Sequence, residues 1–415
     1  MERSLDPELL ELALGPHASL PSAESLAALL TQAELGILAR EPIVSEELRS
    51  VGWYLHGIAS SRVAQELYGI ERQRAAFQVA GHIFDLYLNS GIFSESDRLK
   101  YCFAAQIAYL RGDLTPNATA IYHREFDRLE TTSRLSDTGF IPDYERIAIS
   151  LGVALLGFNV GYIFDVTRGI IRDANRLARI WEVDTLAATP FGAALGVVSG
   201  VRDIMSFLVY GRQDLLNRAR GTLRNAITAD ASLQDHTSRW VAAHLLNIGD
   251  GLEQSSVWTV LPPEVPPAVR RAFVAGKPSI LTLWPAQLEM LNIREPNIAS
   301  PLSTQVRRLI ISTPTSSGKT TISQLLITSH LATESTSVCY VAPTRSLCRE
   351  VRRSLERRLR FLSRYVIDGL PDDSSWDTDF DTEPSVEVMT PERLSFLVRQ
   401  NPSAVLARFG MFIFD

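Results

Sequence analysis

The residues best suited to chemistry are Thr313-Pro314-Thr315-Ser316-Ser317-Gly318-Lys319-Thr320, with Thr321 next in line. An apolar run, Val306 to Ser312, leads into them and a helical pattern leads out, so they form a turn between a strand and a helix. Such a turn aims the free N–H groups of a helix start at an anion. Gly318 lets backbone approach a phosphate, Lys319 reaches the β and γ phosphates of a nucleotide, and the Thr320 hydroxyl can ligate Mg²⁺. Thr315, Ser316, Ser317 and Thr321 join them as candidate cofactor-binding residues. A second group stands where Gly410-Met411-Phe412-Ile413-Phe414 runs into Asp415, a carboxylate at a strand end that can be the other Mg²⁺ ligand. Lys319 and Asp415 are therefore the candidate catalytic residues, and ATP with Mg²⁺ is the implied cofactor. Gly-Lys-Thr alone is a common tripeptide; the strand before it, the helix after it and the later carboxylate give it meaning.

Three more segments lie at element ends. Leu283-Trp284-Pro285-Ala286-Gln287 carries an amide, while Ala342-Pro343-Thr344-Arg345-Ser346-Leu347 and Met389-Thr390-Pro391-Glu392-Arg393-Leu394 each follow a strand. There, backbone N–H groups, the Thr344 and Thr390 hydroxyls and Arg345 can hold nucleic-acid phosphates without reading bases. Either segment alone is a plain helix cap; their joint placement favours the binding role. In order, these segments resemble the motifs of superfamily-two DExD/H-box helicases: motif I at Thr313–Thr320, motif Ia at Ala342–Leu347, motif Ib at Met389–Leu394 and the start of motif II at Phe412–Asp415. Thr313 stands where the general phosphate loop has its first glycine.

The resemblance covers residues 283–415 and is most similar to the superkiller-type (Ski-like) bacterial members with a large helical N-terminal region. It implies that Gln287 reads the adenine edge and that Pro343, Thr344, Arg345, Thr390, Pro391, Glu392 and Arg393 contact a DNA or RNA strand. It also implies a water-orienting glutamate after Asp415 and a second RecA-like domain with arginine fingers, neither of which lies in these 415 residues. The sequence is accordingly expected to be the N-terminal portion of the motor, ending within motif II and inactive alone. Movement from 3′ to 5′ is implied by the resemblance only.

The elements that must position these groups fall into two classes. Short apolar runs at Val306–Ser312, Val338–Ala342, Val386–Met389 and Met411–Phe414 alternate with helices, the pattern of βαβ units in a parallel sheet. Ligands of such sheets gather at the carboxyl ends of the strands. Residues 270–415 are thus expected to be a RecA-like α/β domain, incomplete at motif II. Residues 1–250 read as helix after helix. Ala76, Val79, Ala80, Ile83, Phe84, Tyr87 and Leu88 recur at the spacing of one helix face, Gly91 closes that helix, Ser94 or Ser96 caps the next, and Leu99, Phe103, Ile107 and Leu110 stripe it as far as Gly112. An irregular all-α domain and a helical-repeat scaffold both fit. Between the two halves, residues 251–269 carry four prolines within Pro262–Pro267 and are expected to be a linker. The fold class is therefore all-α followed by α/β.

The net charge of −6 is unevenly spread: −9 over residues 1–269 and +3 over residues 270–415, which puts any polyanion contact in the C-terminal part. Arg349, Arg352, Arg353, Arg357, Arg360 and Arg364 follow motif Ia at helical steps, either as a phosphate-facing stripe or as a solvated face paired with Glu350 and Glu356. Cys102, Cys339 and Cys348 have no CxxC spacing, which fits a reducing, cytoplasmic setting. The start of the chain lacks a signal pattern. The uncharged stretches Ile147–Phe164 and Thr185–Val201 read as buried helices, with membrane spans as the alternative. Asp377, Asp379 and Asp381 have the opening spacing of a calcium loop, but Thr382 and Val388 replace its glycine and glutamate, so Asp372–Glu383 reads as a solvated loop.

The function expected is ATP-driven translocation on, or unwinding of, nucleic acid. Two alternatives stay open: a duplex translocase that leaves strands paired, and an interaction scaffold in which the helical domain binds a protein partner. Bacterial helicases of this architecture occur in antiphage defence systems, the Hachiman type among them; nothing in the residues encodes that role.

Overall fold

The computed structural model describes residues 6–16, 19–41, 44–91, 94–133, 144–180, 192–228, 235–261, 263, 265–291, 300–302, 308–312, 318–359 and 384–415. The chain divides into two compact units, Met1–Phe207 with Arg212–Gly249, and Leu208–Gly211 with Asp250–Asp415.

The first unit is helical. Its described helices are α1 (Pro7–Leu14), α2 (Ala23–Leu38), α3 (Glu46–Ser60), α4 (Arg62–Ser90), α5 (Glu95–Arg111), α6 (Thr115–Ser133), α7 (Tyr144–Leu156), α8 (Val160–Ile180), α9 (Gly192–Tyr210), α10 (Gln213–Thr228) and α11 (His236–Ser255), the last residues of α9 and α11 belonging to the second unit. Local chemistry starts them: the Ser22, Ser45 and Ser94 hydroxyls accept backbone N–H groups in the first turns of α2, α3 and α5. Gly91 ends α4 at a φ of +72°, a left-handed cap that costs glycine little. The expected stripes point inward, with Val79, Ala80, Ile83 and Phe84 of α4 and Phe103 and Ile107 of α5 fully buried. The helix expected from Arg74 begins earlier, at Arg62, and breaks at Gly69.

The uncharged stretch 147–164 is divided between α7 and α8, with Leu151, Val153, Leu155 and Ile163 buried. Among the described residues one helix, α9, is long and apolar enough to cross a membrane, and 67% of its apolar window is buried within the protein.

The second unit continues with α12 (Val257–Val260), α13 (Pro267–Val274), α14 (Pro285–Met290), α15 (Lys319–Thr333), β1 (Ser337–Val341), α16 (Arg345–Leu359), β2 (Val386–Met389), α17 (Pro391–Gln400), α18 (Pro402–Arg408) and β3 (Phe409–Phe414). The three strands form a parallel sheet in the order β2-β1-β3. Side-chain alternation divides its faces. Val338 and Tyr340 of β1 face a core built with Ile322 and Leu325 of α15 and Leu355 of α16, while Cys339 and Val341 face Leu394 and Leu397 of α17 and Val405 of α18. This is a small parallel sheet consistent with part of a RecA-like helicase domain.

Two expectations need correction. The segment 251–269 is not a free joint over its described residues: Val257, Val260, Leu261, Val265 and Val269 are buried in the core of the second unit. The prolines limit helix length there, but the apolar residues between them still gain by burial. The strand expected at Val306–Ser312 is not formed over its described part, residues 308–312, where Ile310 is 94% exposed. An apolar run forms a strand only with a hydrogen-bonding neighbour, and the pairs formed by β1 are with β2 and β3.

Candidate nucleotide and nucleic-acid site

Register brings the candidate residues to one edge. Val341 of β1 lies level with Met389 of β2 and with Phe414 of β3. The N–H of Ala342 donates to Met389 O at 3.0 Å, and the N–H of Asp415 donates to Val341 O at 3.0 Å. Thus Ala342–Arg345, Thr390–Arg393 and Asp415 all leave the sheet at its carboxyl edge, the edge at which open α/β sheets bind ligands.

The phosphate-loop residues Thr313–Ser317, including Thr315, Ser316 and Ser317, lie outside the described residues, as do Arg360, Arg364 and Asp372–Glu383. The loop's end is described. Gly318 caps α15 at a φ of +84°, its carbonyl accepting the N–H groups of Thr321 and Ile322. Lys319 and Thr320 are exposed in the first turn, where helix N–H groups lack intrahelical acceptors. Gln287 is 4% exposed on α14 and packs against Gly318: a Cβ added at 318 would come within 2.1 Å of the Gln287 amide nitrogen. The Gln287 amide oxygen accepts the Trp284 N–H at 2.9 Å, which fixes the side chain across the start of α14.

At motif Ia, Pro343, Thr344 and Arg345 are exposed, and the Thr344 hydroxyl accepts the Leu347 N–H at 3.2 Å as the cap of α16. At motif Ib, Thr390 begins α17, Pro391 and Glu392 are exposed, and Arg393 is half-buried. The Glu392 carboxyl is held below its ordinary range, first by its own backbone N–H, then by the Thr390 hydroxyl and the nearby Arg345 charge. Thr344 and Arg345 thus present an exposed hydroxyl and guanidinium on the motif Ia side, and the Arg345 charge is felt weakly at Glu392 on the motif Ib side. The arginine stripe of α16 divides: Arg349, Arg353 and Arg357 are exposed, whereas Arg352 turns inward to donate to Val388 O at 3.2 Å.

Asp415 is exposed and its Oδ2 accepts the Tyr340 hydroxyl at 2.8 Å, leaving Oδ1 beside it. The Thr320 hydroxyl and the Asp415 carboxylate are hard oxygen donors suited to Mg²⁺, an ion that takes few protein ligands and leans on substrate phosphates. Sequence spacing did not single out Tyr340 or Ser323, which look like strand and helix filler; nor did it single out Gln324 and Arg358, which join α15 to α16 through an Arg358 Nε donation to Gln324 Oε1 at 3.2 Å.

Residues 297–415 match the family described as DEAD/DEAH box helicase. The chain is also similar to Hachiman protein HamB of Bacillus cereus, with 27% identity over 207 residues, 48% of this chain and 18% of that protein. The chain thus matches less than a fifth of the length of this curated relative.

Proposed function

We propose that this chain is part of an ATP-dependent nucleic-acid motor of the superkiller type, working in the cytoplasm. ATP·Mg²⁺ sits at the start of α15, with Lys319 on the β and γ phosphates, Thr320 and Asp415 on the metal, Thr315, Ser316, Ser317, Gly318 and Thr321 around the phosphates, and Gln287 on the adenine. A DNA or RNA strand lies across Pro343, Thr344, Arg345, Thr390, Pro391 and Arg393, its phosphates held by hydroxyl, N–H and guanidinium groups. Glu392 joins these residues along the same strand path. The observation that supports this assignment most is the common carboxyl edge of β1, β2 and β3, at which Asp415, Ala342–Arg345 and Thr390–Arg393 leave the sheet together. The similarity to HamB supports a Hachiman-type role in antiphage defence; in this reading the helical unit is the surface for a protein partner.

The test is nucleotide binding by the 415-residue chain. ATP·Mg²⁺ should bind detectably, and Lys319→Ala should abolish binding. The same substitution in cells should remove protection against phage. Turnover that survives Lys319→Ala would place the active site elsewhere.

A further inference from the structure

Tyr340 is 3% exposed in the central strand, and its hydroxyl donates to Asp415 Oδ2 at 2.8 Å. Alternation in the parallel pair explains the contact: Tyr340 is level with Ile413, and Asp415, two residues further along, returns to the same face of the sheet. That face is covered by α15. One turn into α15, the Ser323 hydroxyl donates to the Lys319 carbonyl at 3.2 Å.

We propose that Tyr340 is a positioning residue for the metal, holding the Asp415 carboxylate by Oδ2 so that Oδ1 is kept for Mg²⁺. This inference rests on the nucleotide-site assignment given above. A phenol suits the task physically. It is a neutral donor, so it fixes the carboxylate without cancelling the charge that attracts the cation, as a lysine or arginine in its place would. Its ring is locked by the packed core, so orienting Asp415 costs little further side-chain freedom. Outer partners of this kind orient metal-binding carboxylates, and their loss typically weakens metal binding by about ten- to a hundred-fold.

The experiment uses the 415-residue chain, a non-hydrolysable ATP analogue, and Mn²⁺ as a paramagnetic stand-in for Mg²⁺. Mn²⁺ affinity is read by electron paramagnetic resonance and metal-free nucleotide affinity by calorimetry. Tyr340→Phe keeps the ring and removes only the hydroxyl. It should weaken Mn²⁺ binding about ten-fold and leave metal-free nucleotide affinity within about two-fold, a split that a general loss of folding would not give. Unchanged Mn²⁺ affinity in Tyr340→Phe, while Asp415→Asn loses the ion, would overturn the role of Tyr340 and leave the nucleotide site standing. Unchanged affinity in Asp415→Asn would overturn both.

Discussion

At the scale of single residues, the site depends on close contacts as much as on charged groups. Gly318 is held at a φ of +84° with Gln287 where a Cβ would lie. Alanine there would meet two costs: about 1 kcal/mol or more for a left-handed backbone, and displacement of the Gln287 amide from its hydrogen bond with Trp284. Gln287→Ala separates the two effects, because it leaves Gly318 free and removes only the amide. In competition binding, Gln287→Ala should erode the preference for ATP over GTP with little loss of phosphate affinity, whereas Gly318→Ala should weaken both nucleotides. An ATP-to-GTP ratio unmoved by Gln287→Ala would remove this residue from adenine recognition. The phosphate- and strand-contacting candidates were legible in the sequence because their chemistry is carried by residue types at element ends: Lys319 after a glycine, Thr344 and Arg345 after β1, Asp415 after β3. Tyr340 was not legible, since a buried aromatic in a strand is ordinary and only the register with β3 reveals where its hydroxyl reaches.

At the scale of elements, α15 and α16 are joined by a polar tie. Arg358, 4% exposed near the end of α16, donates to Gln324 Oε1 on α15 at 3.2 Å and to the Ala272 and Phe273 carbonyls in the last turn of α13 at 3.3 and 3.2 Å. Its guanidinium also lies 4.9 Å from the centre of the Phe273 ring, and Gln324 completes the tie by donating to Ser354 at 2.8 Å. The carbonyls are the orphan acceptors of a helix end, which favour a cation. Arg358→Met should lower the stability of the C-terminal unit by roughly 2–3 kcal/mol in urea unfolding, the cost of leaving buried acceptors unmade. Arg358→Lys should recover less than half of that, because an ammonium lacks the planar fork that serves two elements while stacking on a ring. Equal stability of Arg358→Met and the unaltered chain would show that water replaces the arginine freely. Helices were the more legible elements, as apolar period, serine caps and Gly91 agree along α4 and α5. The strand expected at Val306–Ser312 is not formed over residues 308–312, because an apolar run states a tendency to pair and not which neighbour is within reach.

At the scale of the whole molecule, the two units answer different physical demands, and a change of pH should expose the difference. The N-terminal unit buries His56 of α3 and His244 of α11 with ring centres 5.0 Å apart, among Phe77, Phe84, Phe103 and Trp240. Neither His56 Nε2 nor His244 Nδ1 has a hydrogen-bond partner among the described residues. Burial, and then the positive charge of Arg111, lowers the His56 pKa from 6.5 to about 4. His244 is lowered by burial first, then by His56 and Arg111. With the folded values depressed, the unfolded chain takes up protons first, so stability rises with pH across this range. The contribution is complete above pH 6.5 and drains away as pH falls toward the folded value of about 4. Each histidine can supply a slope approaching about 1.4 kcal/mol per pH unit within that window. The N-terminal unit should therefore unfold at a lower urea concentration at pH 5 than at pH 7.5. His56→Phe, which puts a ring that carries no charge into the same aromatic surroundings, should remove about half of that difference while costing little at pH 7.5. An N-terminal transition equally stable at both pH values would mean that the two imidazoles reach water or a partner that accepts their protons.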